Sequence, residues 1–471
     1  MEEEKYGHAY EDEVKKAVQK FERMKKNNES CYFDVVEFES IIDYYIEVNN
    51  SLKASEAAAF ATEQHPCSVS IQLRKAKILL DKGRAVETLK ILRKLESIEP
   101  GNHDIYITKG TAMGILGDIN GAKKMFDYAL SLDSDDVENT LFSIVSVLQN
   151  LNYYEQLIPY LLKLVDKEPN YHAHLYDLAY AYEKTEDYRN SITYYLKYIE
   201  EEPFSDSAWY NLGIIYNKLE MFDKAMEAYD YALAINYQNA FALFNKGNIL
   251  CNLGRYPEAI AVYHEYLDNE PDSVEAMTYL AECYEKTGDF ILARKYYRDA
   301  IELAPEYADP WFGLGVIEMN TGNPGDSIIY FRKAVRLDDN NPEYWFLLGK
   351  AQYFNGDIKN ALSCYREALK LDAYYDEAWS DLGKIIIKEG LASRAVRYLE
   401  HAYKITGNVP GINFILATLY LRTGRNESAS RHFSLAIDMD RDSFVEFSDL
   451  FPRDILTKKI MRILEKIGFP E

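Results

Sequence analysis

At 471 residues the chain has room for several ordinary domains, or for one array that grows unit by unit without a central core. Hydrophobic residues at 48% and charged residues at 27% fit a folded, soluble protein and exclude a disordered one. A formal charge of −23 repels polyanions, which disfavours nucleic acid and acidic membrane surfaces and biases encounters toward basic partners.

Residues 1–34 open on MEEEKYGHAYEDE, acidic where a secretory signal is basic and then apolar. Val14, Val18, Phe21 and Met24 then fall on one helical face, so an acidic tail is expected to lead into a helix that caps the next element or stays loose. No uninterrupted apolar stretch approaches the length of a membrane span. Cys31, Cys67, Cys251, Cys283 and Cys364 form no CxxC and no Cys/His cluster, so neither a disulfide framework nor a zinc site is indicated, and a reducing cytoplasm fits.

From Val35 onward the chain is periodic. Trp311, Trp345 and Trp379 are spaced by 34 residues, and Trp209 lies three such periods before Trp311. Phasing on the tryptophans gives units over 35–443, starting at residues 35, 69, 103, 138, 172, 206, 240, 274, 308, 342, 376 and 410, with Val137 as one extra residue. In the unit from Asp206, the spacing of Trp209, Leu212, Gly213 and Tyr216 predicts one face of a first helix, and Ala225, Tyr229 and Ala232 predict a second. Place 8 of the unit, counted from its first residue, is Gly or Ala in most units (Gly213, Gly247, Gly315, Gly349), and place 20 is Ala or Ser (Ala225, Ala259, Ala361). Small residues recurring there let two helices approach closely. Glycine at Gly288, Gly322 and Gly356 ends a first helix, and Pro66, Pro100, Pro169, Pro203, Pro271 and Pro305 follow or end a second.

Some units depart from the pattern. Gln72 stands where an aromatic is usual, Leu95 replaces Ala, Val145 and Leu157 fill the two small-residue places, and Tyr198 and Tyr266 replace a second-helix Ala. Local changes in helix spacing are expected at these units. Beyond the last unit, residues 444–471 carry an amphipathic stretch with Leu456, Ile460, Ile463, Leu464 and Ile467 on one face and Lys458, Arg462 and Lys466 on another. That stretch reads as a capping helix with a solvated basic edge.

The pattern W-x₂-L-G-x₂-Y … A-x₃-F/Y-x₂-A … P resembles the tetratricopeptide-repeat family across residues 35–443. The resemblance implies an all-α, right-handed α-solenoid of helix-turn-helix repeats, in which first helices line a concave groove that holds extended peptides or helices. The groove places carried over by the resemblance are 2, 5, 6, 9, 12 and 13. Place 5 is a ring in many units, namely Phe142, Tyr176, Tyr210, Phe244, Phe312, Phe346 and Phe414, and these rings read either as ligand contacts or as packing. Asn211 and Asn245 occupy place 6 and are similar to two rungs of the asparagine ladder in the repeat domain of O-linked N-acetylglucosamine transferase, but no ladder and no transferase domain accompany them. The carboxylate clamp of chaperone-binding repeats is not indicated, because no unit has Lys at place 2. Glu39, Asp43 and Glu47 make an acidic stripe at one end of the groove, and Lys350, Lys384, Lys388 and Arg422 gather toward the other.

Chemistry is missing. The chain has no GxxxxGK[ST], HExxH, GxSxG or complete GxGxxG, and His172 and His174 sit two apart on different sides of a helix. A non-catalytic scaffold or adaptor is therefore expected, without cofactor or metal, holding a protein or peptide segment of basic or mixed charge that Asp177, Glu183, Glu282 and Glu285 steer in. The second reading is a regulatory or targeting subunit of an enzyme complex with one obligate partner.

Overall fold

A computed structural model of the protein describes residues 2–27, 29–132, 137–167, 172–406, 409–451 and 456–466. Pro169 and Ile467 lie outside the described residues. Among the described residues all regular structure is helical. The chain divides into two compact units, residues 1–235 and 236–471.

In the first unit a helix Glu2–Asn27 precedes helix pairs whose first members are Val35–Glu47, Val69–Asp81, His103–Ile115, Val137–Asn150, Ala173–Lys184 and Asp206–Lys218. In the second unit the first members are Ala240–Asn252, Val274–Lys286, Ala308–Asn320, Pro342–Phe354, Asp376–Lys388 and Pro410–Arg422. Ser68, Ser205 and Ser273 cap first helices, each side chain accepting a backbone N–H at the start of the next turn. Within units, first helices pack on the next first helix, and each second helix packs between its own partner and the following first helix. The result is the helix-turn-helix solenoid of layered pairs.

Place 15 of each pair is left-handed. Eight of these turns use glycine, such as Gly254 at φ +70° and Gly288 at +84°, but Asn49, Asn152, Glu186 and Glu220 adopt the same conformation at φ 54–61°. The geometry of the turn is set by the pair, and Glu186 and Glu220 accept a conformation that a side chain disfavours.

Close approach explains the small residues. A Cβ on Gly110, Gly213 or Gly315 would lie 2.5 Å from the ring of Phe126, Tyr229 or Phe331, the place-24 residue of the same pair. Those rings are fully buried. At two hydroxylic place-20 residues the side chain ties the two helices: Ser191 Oγ donates to the Ala179 carbonyl at 2.7 Å, and Thr88 Oγ1 to that of Ala76 at 3.2 Å. In the pair with Val145 and Leu157, both larger side chains are buried in a cluster with Tyr160, Leu161 and Leu164, so the space is filled by aliphatic packing in place of a ring over glycine.

At the amino end, Phe21 and Met24 are buried against Phe33, Phe38 and Tyr45, so the helix Glu2–Asn27 covers the first pair. At the carboxyl end a short helix Phe444–Phe447 and a 3-10 turn Ser448–Leu450 precede a helix Lys458–Lys466. Ile460 of the latter is fully buried, and the helix packs on Asn426–Met439.

Candidate functional site

First helices line a recess in each unit. In the first unit a cavity of about 820 Å³ is walled by residues from the four first helices between Val35 and Asn150, among them Ile46, Lys77, Ile107, Thr111 and Phe142. In the second, a cavity of about 350 Å³ lies between Val274–Lys286, Ala308–Asn320 and Pro342–Phe354. Its walls are Tyr279, Phe312 and Tyr344 on the apolar side and Glu282, Glu285, Asp309 and Glu343 on the acidic side, with Lys286 beside them.

The acidic wall is partly held in place. Tyr344 donates to Asp309, and the Tyr297 hydroxyl to Glu285 at 3.3 Å. Burial pushes the Glu285 carboxyl up to about 6, opposed by the nearby Lys286 and reinforced by Glu282. A recess with rings on one side and several carboxylates on the other suits a basic side chain, whose stem lies on the rings while its head meets the acids.

Each place-5 ring has a structural partner. Tyr176 meets Tyr195 at 5.5 Å, Tyr210 meets Tyr229 at 6.0 Å, and Phe244 meets Tyr263 at 6.2 Å, in every case the place-24 ring of the same pair. Phe312 pairs with Phe331 at 5.5 Å and Phe346 with Tyr365 at 5.8 Å. Tyr198 and Tyr266, the rings that replace alanine, add a further contact to Tyr176 at 5.3 Å and to Phe244 at 5.4 Å. Thus the substitution fills the space beside place 5. Phe142 lines the larger cavity and Phe312 the smaller one, whereas Tyr176, Tyr210 and Phe244 line neither. Phe346 is buried at 6% exposure. Phe414 is fully buried beneath Phe444, Phe447 and Phe451.

The polar candidates are also engaged. Asn211 Nδ2 donates to the hydroxyls of Tyr176 at 2.8 Å and Tyr195 at 3.1 Å, tying adjacent first helices together. Asn245 sits half-buried in the next pair. Lys350 lies over the Phe346 ring at 5.4 Å, Lys388 over Tyr353 at 5.4 Å, and Lys384 pairs with Asp381 at 3.7 Å. The stripe of Glu39 and Asp43 is clasped by Arg74 from the next first helix, at 3.4 Å and 2.7 Å. Glu183, expected among the steering acids, is buried and paired with Lys218 at 3.3 Å, so its charge is spent within the fold. His174 is buried with its ring 5.1 Å from Phe142.

The sequence missed one juxtaposition. Cys251 and Cys283, on consecutive first helices, bring their sulfurs to 2.8 Å in a shared hydrogen bond. Nothing in their spacing of 32 residues announces this, since the contact depends on how two first helices are laid side by side. Among the described residues no group of three His, Cys, Asp or Glu is placed to hold a metal ion. No helix among them is long and apolar enough to cross a membrane.

Layered helix pairs with a recessed first-helix face define a helix-pair repeat protein. Models of the tetratricopeptide repeat match residues 175–204, 207–236, 244–308, 286–342 and 342–375. The chain contains multiple tetratricopeptide repeats. Similar solved structures include PilW, described as a widely conserved type IV pilus biogenesis factor, at 25% identity over 46% of this chain and 99% of that one, with a TM-score of 0.39. A tetratricopeptide repeat protein from Parabacteroides merdae is 17% identical over 53% of this chain and 98% of its own, with a TM-score of 0.42. The Naa15/Naa10 complex bound to HypK-THB matches over 92% of this chain and 79% of that one at 13% identity, with a TM-score of 0.37. Comparison with curated proteins gives no match.

Proposed function

We propose that the protein is a non-catalytic scaffold whose first-helix face holds a peptide or protein segment of basic or mixed charge. The observation that carries this reading is the recess between Val274 and Phe354, where Glu282, Glu285, Asp309 and Glu343 face Tyr279 and Phe312. A lysine or arginine side chain entering there gains ring contact and several carboxylates at once. The wider recess at Phe142, with Ile46 and Ile107, suits an apolar side chain of a partner. In this reading Phe142 and Phe312 touch the ligand, while Tyr176, Tyr210, Asn211, Phe244 and Phe346 hold the helices that shape the face. The five cysteines are free thiols, which suits the cytoplasm.

Charge reversal tests the proposal. A partner recovered by affinity purification is expected to bind the triple variant Glu282→Lys, Glu285→Lys, Glu343→Lys at least tenfold more weakly than the parent. Its affinity for the parent should fall with added salt. Unchanged binding by a variant of unaltered helical spectrum would remove the second-unit recess from the interface.

A further inference from the structure

In the last pair the first helix has no open face. Every residue from Pro410 to Leu421 is buried, whereas in Asp206–Lys218 burial is confined to Ala208, Leu212, Gly213 and Ile215. The covering element is the chain's own segment 443–451. Phe447 stacks on Phe414 at 4.9 Å, Phe444 lies 5.6 Å from it, and Phe451 packs on Phe433 at 5.1 Å. One pair earlier, Ser380 Oγ donates to the Glu446 carbonyl at 2.7 Å. A Cβ on Gly383 would lie 2.9 Å from Leu450, so the small-residue place here receives the segment where other pairs receive a place-24 ring.

Ser380 and Phe414 are place-5 residues. They continue the row of Phe312 and Phe346, and Phe312 walls the acidic recess. The segment therefore occupies the face on which an external ligand would lie. It is built as a ligand: Phe444, Phe447 and Leu450 recur every third residue on the docked side, while Val445 stays exposed at 63%. Its one helical turn is too short to be stable alone, so it is ordered only by docking. Docking is also imperfect, because Asp376 Oδ1 is buried there without a hydrogen bond. The segment is anchored on both sides, by Asn426–Met439 before it and by the buried Ile460 after it.

We propose that residues 443–451 are a displaceable internal ligand of the first-helix face of the last two pairs, and that this face accepts from a partner a short helical segment with aromatic residues three apart. This rests on the first-helix face being the ligand face, whereas its test involves neither the acidic recess nor a partner of that recess.

The test uses the full-length protein and a fluorescent peptide of residues 441–451. In hydrogen exchange on the parent, amides of 444–451 are expected to exchange together and at least tenfold faster than those of 412–421. The peptide should bind the double variant Phe447→Ala, Leu450→Ser at least tenfold more tightly than the parent, because the competing internal segment no longer fills the site. The same peptide with Phe447 replaced by Ala should bind neither. Equal affinity for both proteins, or binding to neither, overturns the proposal. So does exchange of 444–451 only in step with 412–421, a result that holds even if the double variant does not fold.

Discussion

The side-chain amide of Gln72 donates to the carbonyl of Pro66 at 3.3 Å, across the join between two helix pairs. The indoles of Trp209, Trp311, Trp345 and Trp379 make the same bond to the carbonyl six residues back, at 2.9–3.1 Å. Where place 4 carries a donor of this kind it is thus a latch from a first helix to the end of the preceding pair, and an amide can supply its hydrogen bond though not its area. Trp345→Phe is expected to keep most of the packing and lose the bond to Asp339, costing about 0.5–1.5 kcal/mol. A urea unfolding curve superimposable on the parent's would show that the latch contributes nothing.

Ring-over-glycine packing makes a contrasting pair of predictions. Gly315→Ala should destabilise by about 1–3 kcal/mol, because its methyl meets Phe331 and neither can move away. Gly325→Ala should be neutral or slightly stabilising, since the nearest atom to its Cβ is Asn355 Oδ1 at an ordinary 3.6 Å. Denaturant midpoints of the two variants, measured side by side, check the assignment. Similar losses in both would mean that overpacking is not the cause.

Left-handed turns give a stabilising substitution. Glu220 holds φ 58° where Gly254 stands in the next pair at +70°. Glu220→Gly should raise stability by roughly 0.5–1 kcal/mol, the relief of left-handed strain less the added entropy of the unfolded chain. Gly254→Ala should lose a comparable amount. The melting temperatures should move in opposite directions, and movement in the same direction contradicts the reading of the turn.

Much of the fold was legible because each pair repeats the same local problem. Gly213 lies against Tyr229 and Trp209 stacks on Tyr231 within one pair, so their contacts are written at short, recurring spacings. Even the departures obey the geometry: Gln72 keeps the latch, Glu220 keeps the turn, and Tyr198 packs on Tyr176. The candidate site was less legible. Rings at place 5 repeat whether they face a ligand or a neighbour, and periodicity cannot distinguish Phe312, which walls a recess, from Phe346, which is buried. Asn211 and Glu183 looked available because their partners, Tyr176 and Lys218, lie one pair away. The cover on Phe414 comes from a segment outside the period, with Ser380 and Glu446 separated by 66 residues. No repeat pattern registers such a contact.

Acid strengthens the second unit at two positions. Burial raises Glu285 and Asp376 each to about 6, above the ordinary carboxyl values of 4.5 and 3.8. Between those ordinary values and 6 the folded protein retains protons that the unfolded chain has released. The favourable contribution of these two groups is therefore complete below those ordinary values and is lost progressively as pH rises to and through 6. Glu285→Gln should raise stability at pH 7.5 and leave it nearly unchanged at pH 4. Asp376→Asn should do the same while retaining a partner for Ser443. Equal effects at both pH values in urea unfolding would contradict the burial of these carboxylates.

The central claim is that a partner lies along the first helices. It is tested most directly by placing a photo-crosslinking amino acid at one position at a time in the full-length protein and irradiating it with its purified partner. Val316 and Thr111 belong to the two first-helix recesses, whereas Ile291 and Ile329 are exposed on second helices at 81% and 64%. Crosslinks from Val316 or Thr111, with none from Ile291 or Ile329, are the predicted result. Crosslinks confined to Ile291 and Ile329 would put the partner on the second-helix surface and contradict the account.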